Sequence, residues 1–209
     1  TTIGESSFST CNSIESINLP LLESIGTQAF SSCSKLKTVN LPKATVISSN
    51  CFYGCSLLES VSIPKATSIN SYAFYQCSAL TTINLPLATR IGAQCFYSCG
   101  KLASISIPLV TEISSRGFAY TSRLTSIELP SIKNIGDGCF HASNSLASIA
   151  FGGPGKPITD TSGFNSSIVE ANGGVTKTIN IYVEDPSNPP TLTGSPWGAS
   201  SATINYLQA

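Results

Sequence analysis

Charge is what this sequence has least of. Among 209 residues only 11% are charged, acids and bases are equal in number, and there is one His, one Trp and no Met. A neutral, charge-poor surface lacks the field that non-specific attraction to nucleic acid or an acidic membrane requires, so a nucleic-acid partner is excluded. One His argues against a zinc centre and leaves a Ser-His-Asp triad a single possible base. No run approaches the roughly eighteen apolar residues of a membrane span, and no basic-then-apolar leader opens the chain, so no membrane insertion is expected of this segment. The missing initiator Met reads as a trimmed segment of something longer, and the sequence enters its pattern midway, with no polar stretch to cover the first unit.

What is present is a repeat. Proline recurs every 22 residues from Pro20 to Pro130, phenylalanine from Phe8 to Phe140, isoleucine from Ile3 to Ile135, and cysteine at Cys11, Cys33, Cys55, Cys77 and Cys99. The phase holds without insertion to about residue 150. So short a unit cannot enclose a core, and its apolar columns must be buried against neighbouring units, which defines a solenoid.

Local chemistry assigns the parts of one unit. Residues 80–85 are β-rich, with Ile83 and Leu85 alternating with Thr82 and Asn84, a strand with one wet face. Pro86 ends it, having no N–H to give a ladder. Residues 87–91 form a short extended piece. Residues 93–99 have room for about two helical turns with Cys95, Phe96 and Cys99 inward.

The unit C-x-x-L-x-x-I-x-L-P followed by I-x-x-x-A-F-x-x-C resembles the leucine-rich repeat, and more narrowly its bacterial BspA-like (Treponema-pallidum-type) class. The resemblance implies a leucine-rich repeat solenoid, a right-handed β/α superhelix that is β-rich with short helical or 3₁₀ turns. Its parallel sheet of about seven coils spans residues 1–150, and residues 151–209 form a β-rich C-terminal cap. It also implies an exported or surface-attached bacterial protein that acts in adhesion and protein binding.

Beyond Phe151, the run from Gly152 to Pro157 breaks the coil. Residues 167–170 and 175–183, joined by a turn at Asn172-Gly173-Gly174, read as a hairpin, residues 202–207 as a last strand, and Trp197 as a side chain packed beneath the cap.

The eight cysteines are expected to be free buried thiols. Equivalent side chains on stacked coils point the same way rather than at each other, and Thr121 and Ser143 occupy the same column. Cys51, Cys95 and Cys139 share a tight column with Ala29, Ala73 and Gly117. No metal site is expected, because the cysteines have no further ligands within a coil and His141 lies at another column. Asp160, Glu184 and Asp185 lack the dense alternation of a calcium loop. Asp137 and His141 lie four apart, but the His141 column holds Tyr, Ser or Ala elsewhere, so no catalytic residues and no cofactor are assigned and the chain is read as not an enzyme. Asn165-Ser166-Ser167 is a glycosylation triplet of the kind a Ser-rich chain contains by chance.

Two surfaces are candidates for ligand binding. The wet sheet face carries Thr38, Asn40, Ser60, Ser62, Thr82, Asn84, Ser104 and Ser106, rich in hydroxyls and amides but without the Trp, Tyr and Arg anchors of protein hot spots. The opposite, convex column carries Tyr53, Tyr75 and Tyr97, rings with polar tips that suit a sugar or a peptide. The expected function is non-catalytic binding by a monomer at the cell surface. A host or bacterial surface protein is the expected partner, and a glycan or a purely structural spacer role is the alternative.

Overall fold

The computed structural model describes residues 1–164, 167–168, 177–189 and 202–209. The chain winds as a parallel β-solenoid of strands numbered β1 to β16 in chain order. The coils up to β14 alternate a short and a longer strand, and the last two add a longer strand alone among the described residues. The short column is β1 (Thr2–Ile3), β3 (Ser24–Ile25), β5 (Val46–Ile47), β7 (Ser68–Ile69), β9 (Arg90–Ile91), β11 (Glu112–Ile113) and β13 (Asn134–Ile135). The longer column is β2 (Ser16–Asn18), β4 (Thr38–Asn40), β6 (Ser60–Ser62), β8 (Thr82–Asn84), β10 (Ser104–Ser106), β12 (Ser126–Leu129), β14 (Ser148–Phe151), β15 (Lys177–Val183) and β16 (Ala202–Gln208). Nine strands in the longer column define eight turns of the solenoid.

Between the strand columns lies a core of single-residue ladders. Ile25, Ile47, Ile69, Ile91, Ile113 and Ile135 are buried on the short strands, and Phe30, Phe52, Phe74, Phe96, Phe118 and Phe140 on the turn side. Neighbouring Phe rings stack with centroids 5.2 to 5.8 Å apart, a spacing set by the strand-to-strand distance, so the 22-residue period becomes a column of offset rings. The column of Ala29, Cys51, Ala73, Cys95, Gly117 and Cys139 is buried as well, in keeping with its small residues.

The segment expected to be helical is not. No helix forms among the described residues, and this stretch is a chain of tight turns. In residues 92–99, alternate N–H groups divide their partners. Cys95, Tyr97 and Cys99 donate to carbonyls three residues back, Gly92, Gln94 and Phe96, while Gln94, Phe96 and Ser98 donate to Ser115, Gly117 and Ala119 of the next coil. A helix would spend every donor within its own coil. Stacking instead recruits half of them, and in exchange two residues per coil take positive φ, as Gln94 (51°) and Ser98 (57°) do. Glycine fills this role at Gly54 and Gly138. The turn before it is tight for another reason: a Cβ on Gly92 would sit 2.4 Å from the backbone nitrogen of Ser71 in the preceding coil.

The hairpin expected near the C-terminus takes another form. Its second arm is β15, which pairs in parallel with β14 on one side and β16 on the other. Ser167 and Ile168, in the first arm, accept hydrogen bonds from Gly138 and Phe140 and so continue the turn ladder. The expected turn at 172–174 and Trp197 lie outside the described residues. Register explains why the sequence pattern fades where the winding does not. Ser126 faces Ser148, a step of 22, but Ser148 faces Thr178, a step of 30, and Thr178 faces Thr203, a step of 25.

Candidate functional site

The cysteine ladder is structural. All eight cysteines are free, and all but Cys11 are buried. The thiols of Cys33, Cys55, Cys77 and Cys99 donate to the carbonyls of Phe8, Phe30, Phe52 and Phe74, at 3.1 to 3.2 Å. Ser143 makes the same contact to Phe118 at 2.8 Å. The column therefore holds a small donor that satisfies a buried carbonyl: Cys and Ser reach that of the preceding coil, and Thr121 bonds Phe118 of its own coil at 2.8 Å. Burial pushes the Cys55 thiol up to about 12, with the neighbouring Cys33 adding to the effect. Cys51, Cys77, Cys99 and Cys139 are also raised by burial. These thiols are held protonated and unreactive.

Asp137 and His141 go separate ways. The Asp137 carboxylate accepts from the Ser167 hydroxyl, and the His141 ring meets Tyr120 edge-on at 5.4 Å. Asp160 and Asp185 each accept from the N–H and hydroxyl of a serine two residues on, Ser162 and Ser187, which lowers both carboxyls. These are turn contacts. Among the described residues no group of three or more His, Cys, Asp and Glu is placed to hold a metal ion. Asn165 and Ser166 of the glycosylation triplet lie outside the described residues.

On the sheet face, Thr38, Asn40, Ser60, Ser62, Thr82, Asn84, Ser104 and Ser106 are all exposed and aligned in two columns. Part of their hydrogen-bonding capacity is spent along the stack: Asn40 donates to Asn18 at 2.9 Å and Ser104 to Thr82 at 3.1 Å. A depression of about 250 Å³ gathers Ser104 and Ser106 with Ser126, Glu128, Pro108 and Pro130.

The opposite face carries the aromatic row. Tyr53, Tyr75 and Tyr97 stack at 4.8 Å with interplanar angles of 1° and 6°. Desolvation, then the charge of neighbouring tyrosines, raises the phenols of Tyr75 and Tyr97. Both faces of the Tyr75 ring are covered by its neighbours, so the row offers ring edges and hydroxyls. Two further tyrosines break the parallel order: Tyr72 tilts 51° against Tyr75, and Tyr120 tilts 54° against Tyr97 and is 41% exposed. Both sit at positive φ, 61° and 59°, where a bulky residue costs about 1–2 kcal/mol and glycine costs none of that strain. Gln94 donates to the Tyr72 hydroxyl at 3.3 Å. Beside the row a groove of about 290 Å³ is floored by Gly54, Ser56, Gln76, Ser78 and Ser98. The repeat gave the Tyr53, Tyr75 and Tyr97 column. The sequence reading missed Tyr72, whose signal was a large ring in a column otherwise filled by Ser, Gln, Asn, Arg and Gly.

Over residues 1–108 and 67–179, in six copies, the chain matches the family described as BspA type leucine rich repeat region. None of the curated proteins matches it. Among solved structures it is similar to a leucine rich cell surface protein from Faecalibacterium prausnitzii A2-165, with 28% identity and a TM-score of 0.64 over 72% of this chain and 42% of that one. A leucine-rich repeat protein from Bacteroides ovatus ATCC 8483 shares the fold, at 22% identity and a TM-score of 0.53, over 99% of this chain and 64% of the other. The chain thus spans less than two thirds of the length of either.

Proposed function

We propose that this chain, which belongs to the BspA-type leucine-rich repeat family, is a non-catalytic recognition module of a bacterial surface protein that binds a protein partner across several coils. The observation that carries this reading is the row of Tyr53, Tyr75 and Tyr97, extended by Tyr72 and Tyr120, on a rigid stack. Tyrosine offers large contact area, a polar tip and little rotamer entropy to lose, which suits the anchor positions of protein interfaces. Two of these rings, Tyr72 and Tyr120, sit at positive φ, where a large side chain carries backbone strain. The sheet face, whose side chains bond one another along the stack, is the weaker surface. Similarity to a cell surface protein supports an extracellular setting.

Carbohydrate recognition by the same row is the second reading. It is less favoured because sugars pack on open ring faces, and those of Tyr75 are covered. Binding of the purified chain to a panel of extracellular-matrix and bacterial-surface proteins tests the proposal. Tyr75→Ala should weaken the interaction at least tenfold and Thr82→Arg should leave it unchanged. The reverse pattern moves the function to the sheet face, and binding to neither proteins nor glycans leaves the spacer role.

A further inference from the structure

The eight extra residues of the long coil do not enlarge the stack evenly. They arch over its surface, and the arch is tied down at both ends. At the first, Gly153 and Lys156 exchange two backbone hydrogen bonds, 3.0 and 2.8 Å, around Pro154-Gly155. Gly155 takes φ +70°, the geometry of a type II turn with Pro second and Gly third. Gly152, at φ +75°, lies so close to this turn that a Cβ would come within 2.6 Å of the Lys156 carbonyl. Ile158 is buried and donates to Tyr182 at 2.7 Å. At the second end Gly163 lies flush on the coil beneath: its carbonyl accepts from Ile135 at 2.9 Å, and a Cβ there would meet the Lys133 carbonyl at 2.4 Å.

Between these ties lies a cavity of about 590 Å³. Its lining includes Lys133, Lys156, Asp160, Ser131, Asn134 and the rings of Pro130 and Pro157. The Lys156 ammonium donates to the Ser131 hydroxyl at 3.3 Å. Asp160 is the one acid among the lining residues, and its carboxylate is already engaged by the Ser162 N–H and hydroxyl at 2.7 and 2.8 Å. In a chain with no net charge, this site has an excess of positive charge, surrounded by hydroxyls and an amide.

We infer that this cavity is a binding site for a carboxylate-bearing saccharide residue, of the hexuronic or sialic acid class. The carboxylate meets Lys156 and Lys133 in charge-assisted hydrogen bonds, the hydroxyls meet Ser131 and Asn134, and the proline rings lie under the less polar face of the sugar. An acidic peptide fits less well, because no aromatic side chain lines the site to anchor it. The doubly tied arch is formed before the ligand arrives, so ordering costs are low. This site is separate from the tyrosine row and stands whether or not that row binds protein.

Calorimetric or NMR titration of the full chain with digalacturonate, sialyllactose, neutral lactose and tetraglutamate tests the inference. At least one carboxylated saccharide should bind, with lactose at least tenfold weaker. Lys156→Ala and Lys133→Ala, both at exposed side chains, should each lower affinity about tenfold. Asp160→Asn should keep or tighten binding, and Tyr75→Ala should not change it. Failure of both acidic sugars to bind, equal binding of lactose, a response to tetraglutamate alone, or indifference to both lysine substitutions overturns the assignment.

Discussion

The inner and outer sides of one turn obey the same 22-residue period and carry different information. Phe74 and Tyr75 are adjacent, and each stacks on its counterparts in the coils above and below, at 5.4 Å for Phe74 and 4.8 Å for Tyr75. Inside, Phe occupies the column in every coil from Phe8 to Phe140. Outside, the column reads Ser9, Ser31, Tyr53, Tyr75, Tyr97, Ala119 and His141. Close packing leaves the inner column no freedom, because a changed volume is felt by two neighbouring coils. In the outer column Ser31 and Ala119 are buried and Tyr53, Tyr75, Tyr97 and His141 are half-exposed, so the volume at this position varies from coil to coil where that of the inner column does not.

The largest test of this contrast is alkaline pH. Each buried thiol titrates higher in the fold than in the unfolded chain, where the ordinary value is near 9.0. Below pH 9 both states hold the proton and stability is fully present. As pH rises from 9 to about 12 the unfolded chain releases protons that the fold retains, so stability falls. For Cys55 alone the gap amounts to about 4 kcal/mol at the top of that window. Denaturant unfolding between pH 8 and 11 should show a steady decline, and replacing Cys55, Cys77 and Cys99 by Ser should make it shallower, with Cys33, Cys51, Cys95 and Cys139 still contributing. A flat profile for the original chain would mean that the inner side is open to hydroxide.

Truncation of the two adjacent rings comes next. Phe74→Ala leaves a cavity between Phe52 and Phe96 and should cost about 3–5 kcal/mol. Tyr75→Ala, which loses stacking on a half-exposed row, should cost about 1 kcal/mol. Equal losses in thermal or denaturant unfolding would erase the distinction between the two sides.

The smallest effect separates folding from function at positive φ. Gly54→Ala has space, since the nearest side-chain atom to a new Cβ is Ser32 Oγ at 3.5 Å, and should cost about 1 kcal/mol through backbone strain alone. Tyr72→Gly runs the other way and should leave stability unchanged or slightly higher in the same unfolding experiment. A clear loss would make the Tyr72 ring part of the stack.

Much of this architecture is legible in residue spacing. The solenoid, the inward columns, the free thiols and the Tyr53, Tyr75 and Tyr97 row all follow from a period that holds to about residue 150. Two parts were not legible. The sequence of residues 93–99 permits a helix, and only contact with Ser115, Gly117 and Ala119 diverts alternate donors to the next coil. The last two coils escape a search for period 22 because their steps are 30 and 25.

By itself, then, the sequence determined which side chains face inward and that the coils stack, since burial of an apolar column needs only regular spacing. Tertiary structure decided how the turns are hydrogen-bonded, how far the winding continues, and where it lifts to leave a cavity lined by Lys133 and Lys156. The physical reason is that stacking fixes where strands meet but not how much chain runs between them. A coil of 30 residues closes on the same sheet as one of 22, and the surplus is free to form a site.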